Sequence, residues 1–497
     1  MRLRKPESVW SVISICVLAA AGAVTKVLLA AASMSPPANG TLTLTPCHVD
    51  FFAEEVLCGV HPVFENRQQG TGKQISIHVA VLPPLRRSAQ SDPLFIFSGG
   101  PGQGARSFAP AAARYFRQIR RTRAVVLVDL RGTGASGALT CPGSGDEISK
   151  LANGADLYLG NGIDCLAAIH ADVRQYTHAN ALADVDEVRR RLGYSRINVW
   201  GGSWGTRAAV LYALKYPDAV RSVVLDGAVA LDLGFPAPVA RNAQQAFDRL
   251  SERCAAEPTC AIAFPNPRVE LDAVLEGFDR PRVVTLRHPR TGIPVTVTLS
   301  RDAVAELVRV ALYTTTDAAR LLQTLRHAAL GDFGPLAAQY AHSARMSTDD
   351  MALGFTLSVL CSEDVPQSAA AALPDDEAST FLGHGYSDGW RRRCRGWPLG
   401  APIDIDRTAV SGAPALILSG LHDPVTPPSA GEAMARHFPN ATHIVVPGAA
   451  HNASFTGCAT RLIATFLENG RLDETEAECV TRVPLPPIVL NDAGGQR

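Results

Sequence analysis

The chain has 497 residues, of which 46% are hydrophobic and 19% charged, and its formal net charge at pH 7 is zero. This length exceeds what one compact core usually holds, so we expect a core domain that carries a large insertion. A balanced charge offers no basic face, which argues against a nucleic-acid partner. The arginine run at residues 391–393 indicates a solvated turn near Cys394.

The first 32 residues predict a secretory signal peptide. Basic residues at the amino terminus precede an apolar run from Val9 to Val24, and small residues offer cleavage sites after Ala23 and after Ala32. An uncleaved N-terminal anchor is the alternative, but the run falls somewhat short of the roughly 20 residues that span a bilayer. We therefore expect a periplasmic or secreted protein with no stable membrane association once the leader is cleaved.

Cysteine usage supports export. Cys16 lies in the leader, and the other ten cysteines form an even set, as expected for disulfides. These ten are Cys47, Cys58, Cys141, Cys165, Cys254, Cys260, Cys361, Cys394, Cys458 and Cys479. The sequence leaves their connectivity open, although pairing neighbours in chain order would close five short loops. No C-x-x-C or Cys/His spacing suggests a metal, and we predict neither metal nor cofactor.

Edge strands and a glycine-rich loop come first in the mature chain. Residues 42–82 predict antiparallel strands, and residues 94–227 alternate strands with helices, including an amphipathic helix at 181–192. The apolar strand at 94–97 runs into a loop at 98–104 that is rich in glycine. Such a loop leaves backbone N–H groups unpaired, and we expect that of Gly100 to contribute to an oxyanion hole.

A second apolar run, residues 124–128, is typical of a strand buried in a parallel sheet. Asp129 and Arg131 follow it, and we expect both to brace loops beside the site. Residues 132–137 spell G-x-G-x-x-G, but Cys141-Pro142-Gly143 follows at once and leaves no room for the helix of a dinucleotide site.

The most informative stretch is Gly201-Gly202-Ser203-Trp204-Gly205, between a β-branched run at 196–200 and an apolar helical run at 208–214. This pattern is typical of a nucleophile elbow, in which glycines two positions before and after the serine allow a sharp turn that exposes the Ser203 hydroxyl. We expect the Trp204 N–H to be the second oxyanion donor. An ordinary glycine-rich turn is the alternative, so the assignment depends on the surrounding motifs.

Residues 228–410 predict an inserted, mainly helical cap. Helical patterns occupy 239–255, 303–312 and 318–330, and residues 281–299 are β-like. Strand and helix alternation resumes near residue 413. The core then comprises residues 40–227 and 411–497, and we expect the tail after Val480 to pack loosely along the surface.

Two later strands end in loops that carry an acid and a histidine. The strand at 415–420 precedes Asp423, and the strand at 443–446 precedes His451. Serine, acid, histidine is the chain order of α/β-hydrolases. We therefore predict a Ser203–Asp423–His451 triad.

A rival acid, Asp226, follows the strand at 222–225. Asp423 is preferred because the loop Asp-Pro-x-Thr-Pro restricts its backbone and because it lies one strand before the histidine. His422, beside Asp423, is the other histidine worth testing.

These motifs together resemble the proline iminopeptidase and tripeptidyl-aminopeptidase group of serine α/β-hydrolases. The resemblance rests on residues 98–102, residues 129–137 with Cys141-Pro142 behind them, the elbow, and the loops of Asp423 and His451. Residues 361–366, residues 394–398 and the carboxyl-terminal region resemble the secreted tripeptidyl-aminopeptidase-like (TAP-like) branch. Many members carry histidine where this chain has Ser98.

The resemblance implies an α/β-hydrolase fold, with a doubly wound, mostly parallel sheet and an inserted cap. It implies an exported serine aminopeptidase that releases N-terminal proline or short (di/tri)peptides through an acyl-enzyme on Ser203. Its partner would be a peptide with a free N-terminus, and Glu363 and Asp364 are candidate carboxylates for the ammonium. The alternative for these two acids is a place on the surface or beside a disulfide.

Two other functions would fit the same fold. A carboxylesterase acting on small acyl esters would use identical machinery. A non-catalytic binding protein with a decayed hydrolase fold is the third hypothesis, and the intact serine, acid and histidine argue against it.

Overall fold

The structure is a computed structural model that describes residues 41–86, 92–141, 162–231, 234–288, 291–339, 351–366, 377–406 and 408–492. The predicted leader and Cys16 lie outside the described residues. Within these ranges, no helix combines the length and the apolar character needed to cross a membrane.

The strands are β1 (Thr45–Cys47), β2 (Val56–Phe64), β3 (Gln74–Leu82), β4 (Leu94–Phe97), β5 (Val125–Val128), β6 (Ile197–Gly202), β7 (Val220–Asp226), β8 (Arg282–Arg287), β9 (Pro294–Leu299), β10 (Ala415–Gly420) and β11 (Ala441–Val446). The helices are α1 (Ala109–Tyr115), α2 (Gly162–Ala168), α3 (His178–Arg191), α4 (Trp204–Lys215), α5 (Val239–Ala256), α6 (Pro258–Ala263), α7 (Pro267–Glu276), α8 (Arg301–Ala311), α9 (Thr315–Ala329), α10 (Leu353–Val359), α11 (Gly385–Cys394), α12 (Pro428–Ala435), α13 (Ala459–Asn469) and α14 (Glu474–Thr481).

Nine of the described strands form one sheet in the order β1-β2-β3-β5-β4-β6-β7-β10-β11. The pairs from β1 to β3 and the pair of β3 with β5 are antiparallel, and every pair from β5 to β11 is parallel. Strands β4, β5 and β10 are buried along their whole length, because helices cover both faces of the sheet. The predicted doubly wound, mostly parallel sheet is confirmed.

The strand order reverses at β4, which pairs with β5 on one side and with β6 on the other. In open α/β sheets, ligands bind beside the carboxyl ends of the strands at such a reversal. Both the glycine-rich loop after β4 and the Ser203 turn after β6 lie at this point.

A second hydrophobic core lies in the helical region between β7 and β10. Helix α5 contributes a buried stripe that includes Ala243, Phe247, Leu250 and Cys254, at the spacing of an amphipathic helix. Strands β8 and β9 form an antiparallel hairpin of their own. The other described elements of this region, α5 to α11, are helices.

The carboxyl-terminal tail corrects one expectation. Instead of packing loosely, it buries Ile488 completely in the core of the helical region. The Val489 N–H donates to the Ala319 carbonyl at 2.8 Å, and Arg253 donates to the Pro486 carbonyl. A single apolar residue in an irregular segment carries no periodicity, so only its tertiary partners reveal this anchoring.

The arginine run at 391–393 also differs from the expected solvated turn. It is the last turn of α11, where positive side chains favour the negative end of the helix dipole. Arg393 is buried, with its guanidinium 5.3 Å from the centre of the Trp390 ring.

Five disulfides join the ten described cysteines in chain order. The pairs are Cys47–Cys58, Cys141–Cys165, Cys254–Cys260, Cys361–Cys394 and Cys458–Cys479. Each bridge closes a short loop, and such bridges typically stabilise a domain by about 2–4 kcal/mol. A set of this kind fits an exported protein, since disulfides persist in oxidising compartments.

Candidate active site

Ser203 occupies a strained turn between β6 and α4. Its backbone angles are φ 55° and ψ −128°, an uncommon conformation for a residue with a side chain. A Cβ added to Gly205 would strike the Phe97 carbonyl, and one added to Gly201 would lie 2.5 Å from the Gly205 oxygen. The two glycines are therefore required by close backbone packing, as the elbow pattern predicts.

The loop after β4 packs directly on the serine. A Cβ added to Gly99 would lie 3.2 Å from the Ser203 Cβ, so no larger residue fits there without displacement. Gly100 and Trp204 line the same cavity as Ser203. Trp204 opens α4, where the first N–H groups have no acceptor within the helix. The arrangement brings both predicted oxyanion donors to the cavity of the serine.

Asp423 and His451 form a hydrogen-bonded pair at the ends of β10 and β11. The His451 Nδ1 lies 2.8 Å from Asp423 Oδ2, and the Thr426 hydroxyl donates to the same oxygen at 2.7 Å. The other oxygen, Oδ1, accepts the N–H groups of Val425 and Thr426, each at 2.8 Å. Every partner of this buried carboxylate stabilises its charged form.

The charges of the pair reinforce each other. Burial raises the pKa of Asp423, but the neighbouring His451 and Thr426 outweigh that effect and hold the pKa below its ordinary value. Burial likewise lowers the pKa of His451, whereas the Asp423 charge and hydrogen bond raise it above its ordinary value overall. With Nδ1 donating to the ionised Asp423, the Nε2 atom is left to accept a proton.

Asp226, the rival acid, takes a different partner. It is fully buried, its Oδ2 accepts the Ser454 N–H at 3.0 Å, and burial raises its pKa to about 6. The structure thus places Asp423, and not Asp226, on the imidazole of His451. His422 is not among the described residues that line the cavity, and burial with the nearby Arg249 and Arg253 lowers its pKa.

The comparisons with known proteins agree with this architecture. The α/β hydrolase fold family matches residues 92–259, and the TAP-like protein family matches residues 379–479. The first match contains the predicted nucleophile elbow, and the second contains the Asp423 and His451 loops. The chain has the α/β-hydrolase fold.

Individual relatives extend the comparison. Serine protease Hip1 of Mycobacterium tuberculosis strain H37Rv is 24% identical to this hydrolase over 525 residues, covering 95% of this chain and 97% of Hip1. Proline iminopeptidase of Xylella fastidiosa is 29% identical over 135 residues, covering 27% of this chain and 32% of that relative. The crystal structure of proline iminopeptidase from Mycobacterium smegmatis covers 82% of this chain and 97% of its own, with 17% identity and a TM-score of 0.39.

The hydrolase thus spans nearly the whole of Hip1, but about half or less of the length of the other curated hydrolase and iminopeptidase relatives. The names of these relatives support a serine hydrolase of the peptidase kind.

A cavity of about 1240 Å³ opens above Ser203 in the hydrolase. Its walls come from the loops at the sheet edge and from the helical region. Four aromatic rings pack together in this wall, with neighbouring ring centroids 4.7–6.0 Å apart: Phe108, Tyr115, Trp200 and Phe455. Such a volume exceeds a typical small-molecule pocket and accommodates a peptide segment.

Glu363 does not fit the role expected from the sequence. Its Oε1 accepts the His178 N–H at 2.9 Å, and its Oε2 lies 2.5 Å from His178 Nδ1. The carboxylate is buried, away from the cavity wall, and the His178 ring stacks on Trp204 with centroids 4.7 Å apart. Both carboxylate oxygens of Glu363 therefore have partners, and the side chain supports the start of α4 through the His178 ring. The structure corrects the expectation that Glu363 binds the substrate ammonium.

Asp364 has the opposite placement. The carboxylate is buried at the cavity wall, its Oδ1 lies 2.7 Å from Arg207 Nη1, and its Oδ2 has no hydrogen-bond partner among the described residues. Burial raises the pKa of Asp364, and Arg207 opposes that effect in part. The two acids diverge because consecutive residues of a helical turn point in different directions. Residues Leu360–Asp364 form a π-helical turn, which the Cys361–Cys394 disulfide ties to α11.

Asp129 and Arg131 brace neighbouring loops, as predicted. Asp129 accepts the N–H groups of Arg106 and Ala135 at 2.8 and 2.9 Å. Arg131 donates to the main-chain carbonyls of Glu65 and Gln175, at 2.7 and 3.1 Å, and makes a bidentate pair with Asp184 of α3.

Two residues at the site had no role in the sequence interpretation. Thr426 lies in the Asp-Pro-x-Thr-Pro loop. An aspartate in a turn often accepts the N–H groups two and three residues later, and this local pattern could have predicted the contact of Thr426 with Asp423. Tyr313, from the helical region, contacts His451 and has no comparable local signal.

Proposed function

We propose that this hydrolase is an exported serine aminopeptidase, which releases N-terminal proline or short (di/tri)peptides through an acyl-enzyme on Ser203. Relatives named serine protease and proline iminopeptidase support a peptide substrate. The five disulfides and the sequence pattern of the first 32 residues support export.

In this mechanism, the Ser203 Oγ attacks the carbonyl carbon of the scissile bond while His451 Nε2 takes the hydroxyl proton. Asp423 holds the imidazole in the required tautomer and stabilises its cation. The N–H groups of Gly100 and Trp204 donate to the oxyanion of the tetrahedral intermediate. His451 then gives the proton to the leaving amine, and a water molecule, activated by the same imidazole, hydrolyses the acyl-enzyme.

The placement of Asp364 at the cavity wall is the observation that supports the peptidase assignment. A buried carboxylate with one unpartnered oxygen is costly, and a substrate ammonium would supply the missing donors. Its partner Arg207 follows Ser203 by four residues, which is about one helical turn or 5.4 Å of rise. An ammonium at Asp364 would therefore lie a short peptide's length from a carbonyl at Ser203. A neutral ester gives Asp364 no such partner.

The test compares matched substrates with free and acetylated amines. Prolyl, alanyl and tripeptidyl amides of a fluorogenic amine are assayed beside their N-acetyl forms and beside p-nitrophenyl acetate. Losing a buried charged partner costs roughly 2–5 kcal/mol. We therefore expect acetylation to lower kcat/KM by about two orders of magnitude or more, since about 1.4 kcal/mol is tenfold. Hydrolysis of the acetate ester is expected in either case.

Two variants locate the ammonium site. Asp364→Asn is expected to reduce turnover of the free-amine peptides selectively and to keep ester hydrolysis. Asp302→Asn removes a different, partly exposed carboxylate from the same cavity and is expected to leave the ratio of free to acetylated rates unchanged. If Asp302→Asn abolishes the preference instead, the exopeptidase assignment stands and Asp364 is the wrong residue. Equal rates on free and acetylated peptides would reject the exopeptidase and favour a carboxylesterase.

A further inference from the structure

His451 is in contact with the helical region as well as with the sheet. Its backbone N–H donates to the carbonyl oxygen of Tyr313 at 3.1 Å, and Tyr313 lies two residues after the end of α8. The Tyr313 and His451 rings meet edge to face, with centroids 5.1 Å apart and planes at 69°. One residue of the helical region therefore contacts both the main chain and the imidazole of the proposed base.

Tyr313 is itself held in place by a buried ion pair. Its hydroxyl accepts a hydrogen bond from Arg309 Nη1 at 2.7 Å. The Arg309 guanidinium pairs with both oxygens of Glu306, at 2.6 and 2.5 Å, and lies 5.1 Å from the centre of the Tyr313 ring. Both ions of the pair are buried, and a bidentate geometry of this kind restricts orientation strongly. Arg309 thus restrains the Tyr313 ring in two ways, by a hydrogen bond to its hydroxyl and by contact with its face.

The residues that follow His451 in the chain are also restrained. Asn452, the next residue, has φ 66°, and the Ser454 N–H is held by Asp226. The charged groups around the imidazole are Asp423 and Asp226 from the sheet and Arg309, with Glu306, from the helical region. His451 is therefore positioned by two separate parts of the fold.

We infer that Tyr313 is a positioning residue, through which the helical region sets the orientation of His451 toward Ser203. This inference rests on the proposed function, because it assigns His451 the role of base. Proton transfer from Ser203 requires a well-aligned imidazole, and a misplacement of about 1 Å can cost around a hundredfold in rate. The helical region thus completes the catalytic geometry in addition to enclosing the substrate.

Two substitutions at Tyr313 separate its ring from its hydroxyl. In Tyr313→Leu the ring contact is lost, and we expect kcat on p-nitrophenyl acetate to fall by about 10- to 100-fold with KM within about twofold. The Tyr313 ring buries His451, which lowers its pKa, and aligns the Asp423 bond, which raises it, so the acid limb of kcat/KM should change position in Tyr313→Leu. Tyr313→Phe keeps the ring and loses only the hydrogen bond from Arg309, so we expect a smaller loss of kcat than in Tyr313→Leu, with KM again within about twofold.

Phe333→Leu is the matched control. Phe333 packs on Phe278 in the core of the helical region, with centroids 5.0 Å apart, and is not part of the cavity wall. Its loss should lower Tm and leave kcat and the pH profile unchanged. Wild-type kcat in Tyr313→Leu, or an equal loss of kcat in Phe333→Leu, would overturn the positioning role.

Labelling with a fluorophosphonate separates this inference from the proposed function. The wild type should be labelled, Ser203→Ala should not, and Tyr313→Leu should be labelled more slowly by the same factor as its loss of kcat. An unlabelled wild type would overturn the nucleophile assignment and the positioning role with it. A labelled wild type together with full-rate labelling of Tyr313→Leu would overturn the positioning role alone.

Discussion

The hydrogen bonds around Asp423 determine what an amide in its place would do. Two main-chain N–H groups point at Oδ1, so in Asp423→Asn the amide oxygen must occupy that position. The amide nitrogen then takes the place of Oδ2, which faces His451 Nδ1. Because that nitrogen donates, Nδ1 must accept, and the ring proton moves to Nε2. In this tautomer Nε2 carries the proton and has no free lone pair to accept the Ser203 proton.

The expected cost follows from this tautomer change. The same substitution in a serine protease triad lowers kcat by about 10⁴, which corresponds to roughly 5.5 kcal/mol in the activation free energy. We expect a loss of that order for Asp423→Asn at neutral pH, with little change in KM. Initial rates on p-nitrophenyl acetate and on a prolyl amide measure it, and an unchanged circular dichroism spectrum checks folding.

Asp226→Asn is the control for this prediction. The amide oxygen can still accept the Ser454 N–H, and Asp226 makes no hydrogen bond to His451 among the described contacts. Turnover is therefore expected to stay within about tenfold of the wild type. If Asp226→Asn loses four orders of magnitude while Asp423→Asn stays active, the assignment of the acid from the hydrogen-bond geometry is refuted.

Three further predictions follow from burial, cysteine pairing and the elbow. Burial raises the Asp226 pKa from 3.8 to about 6, so the native state loses stability as pH rises through that window. The unfolding free energy of Asp226→Asn, measured by denaturant titration, should exceed that of the wild type by up to about 3 kcal/mol at pH 8. Below a pH of about 4 the two should be equal. Secreted protein should begin after Ala23 or Ala32 and take up no alkylating reagent under non-reducing denaturing conditions, as read by intact mass; several alkylated cysteines would contradict the disulfide set. Gly205→Ala should fail to accumulate as folded protein, because its Cβ meets the Phe97 carbonyl, whereas Gly412→Ala, with open space at its Cβ, should fold normally by circular dichroism.

Local chemistry in the sequence was sufficient to predict the elbow and most of the sheet. Strand β4 coincides with an apolar run, and β10 begins with one, because a strand buried on both faces requires an unbroken run of such residues. The glycines around Ser203 could be predicted because the steric demand of the turn acts between residues that are close in the chain. The chain order of serine, acid and histidine is visible in the sequence itself.

Only the tertiary structure decided among neighbouring acids. Asp226 ends β7 and Asp423 follows the adjacent parallel strand β10, so both lie at the carboxyl ends of the strands. Only the hydrogen bonds of His451 distinguish them. Glu363 and Asp364 are consecutive, yet one pairs with His178 and the other faces the cavity. These choices depend on partners far away in the chain, and side-chain direction at such contacts has no signature in local composition or periodicity.

The same reason explains Tyr313 and the tail. Tyr313 meets His451 across more than a hundred residues of chain, and Ile488 is buried against helices that precede it by a similar distance. Contacts of this kind form only when separate elements pack together. The sequence by itself determined which chemistry the protein carries, and the packing of the helical region against the sheet decided which side chains surround it.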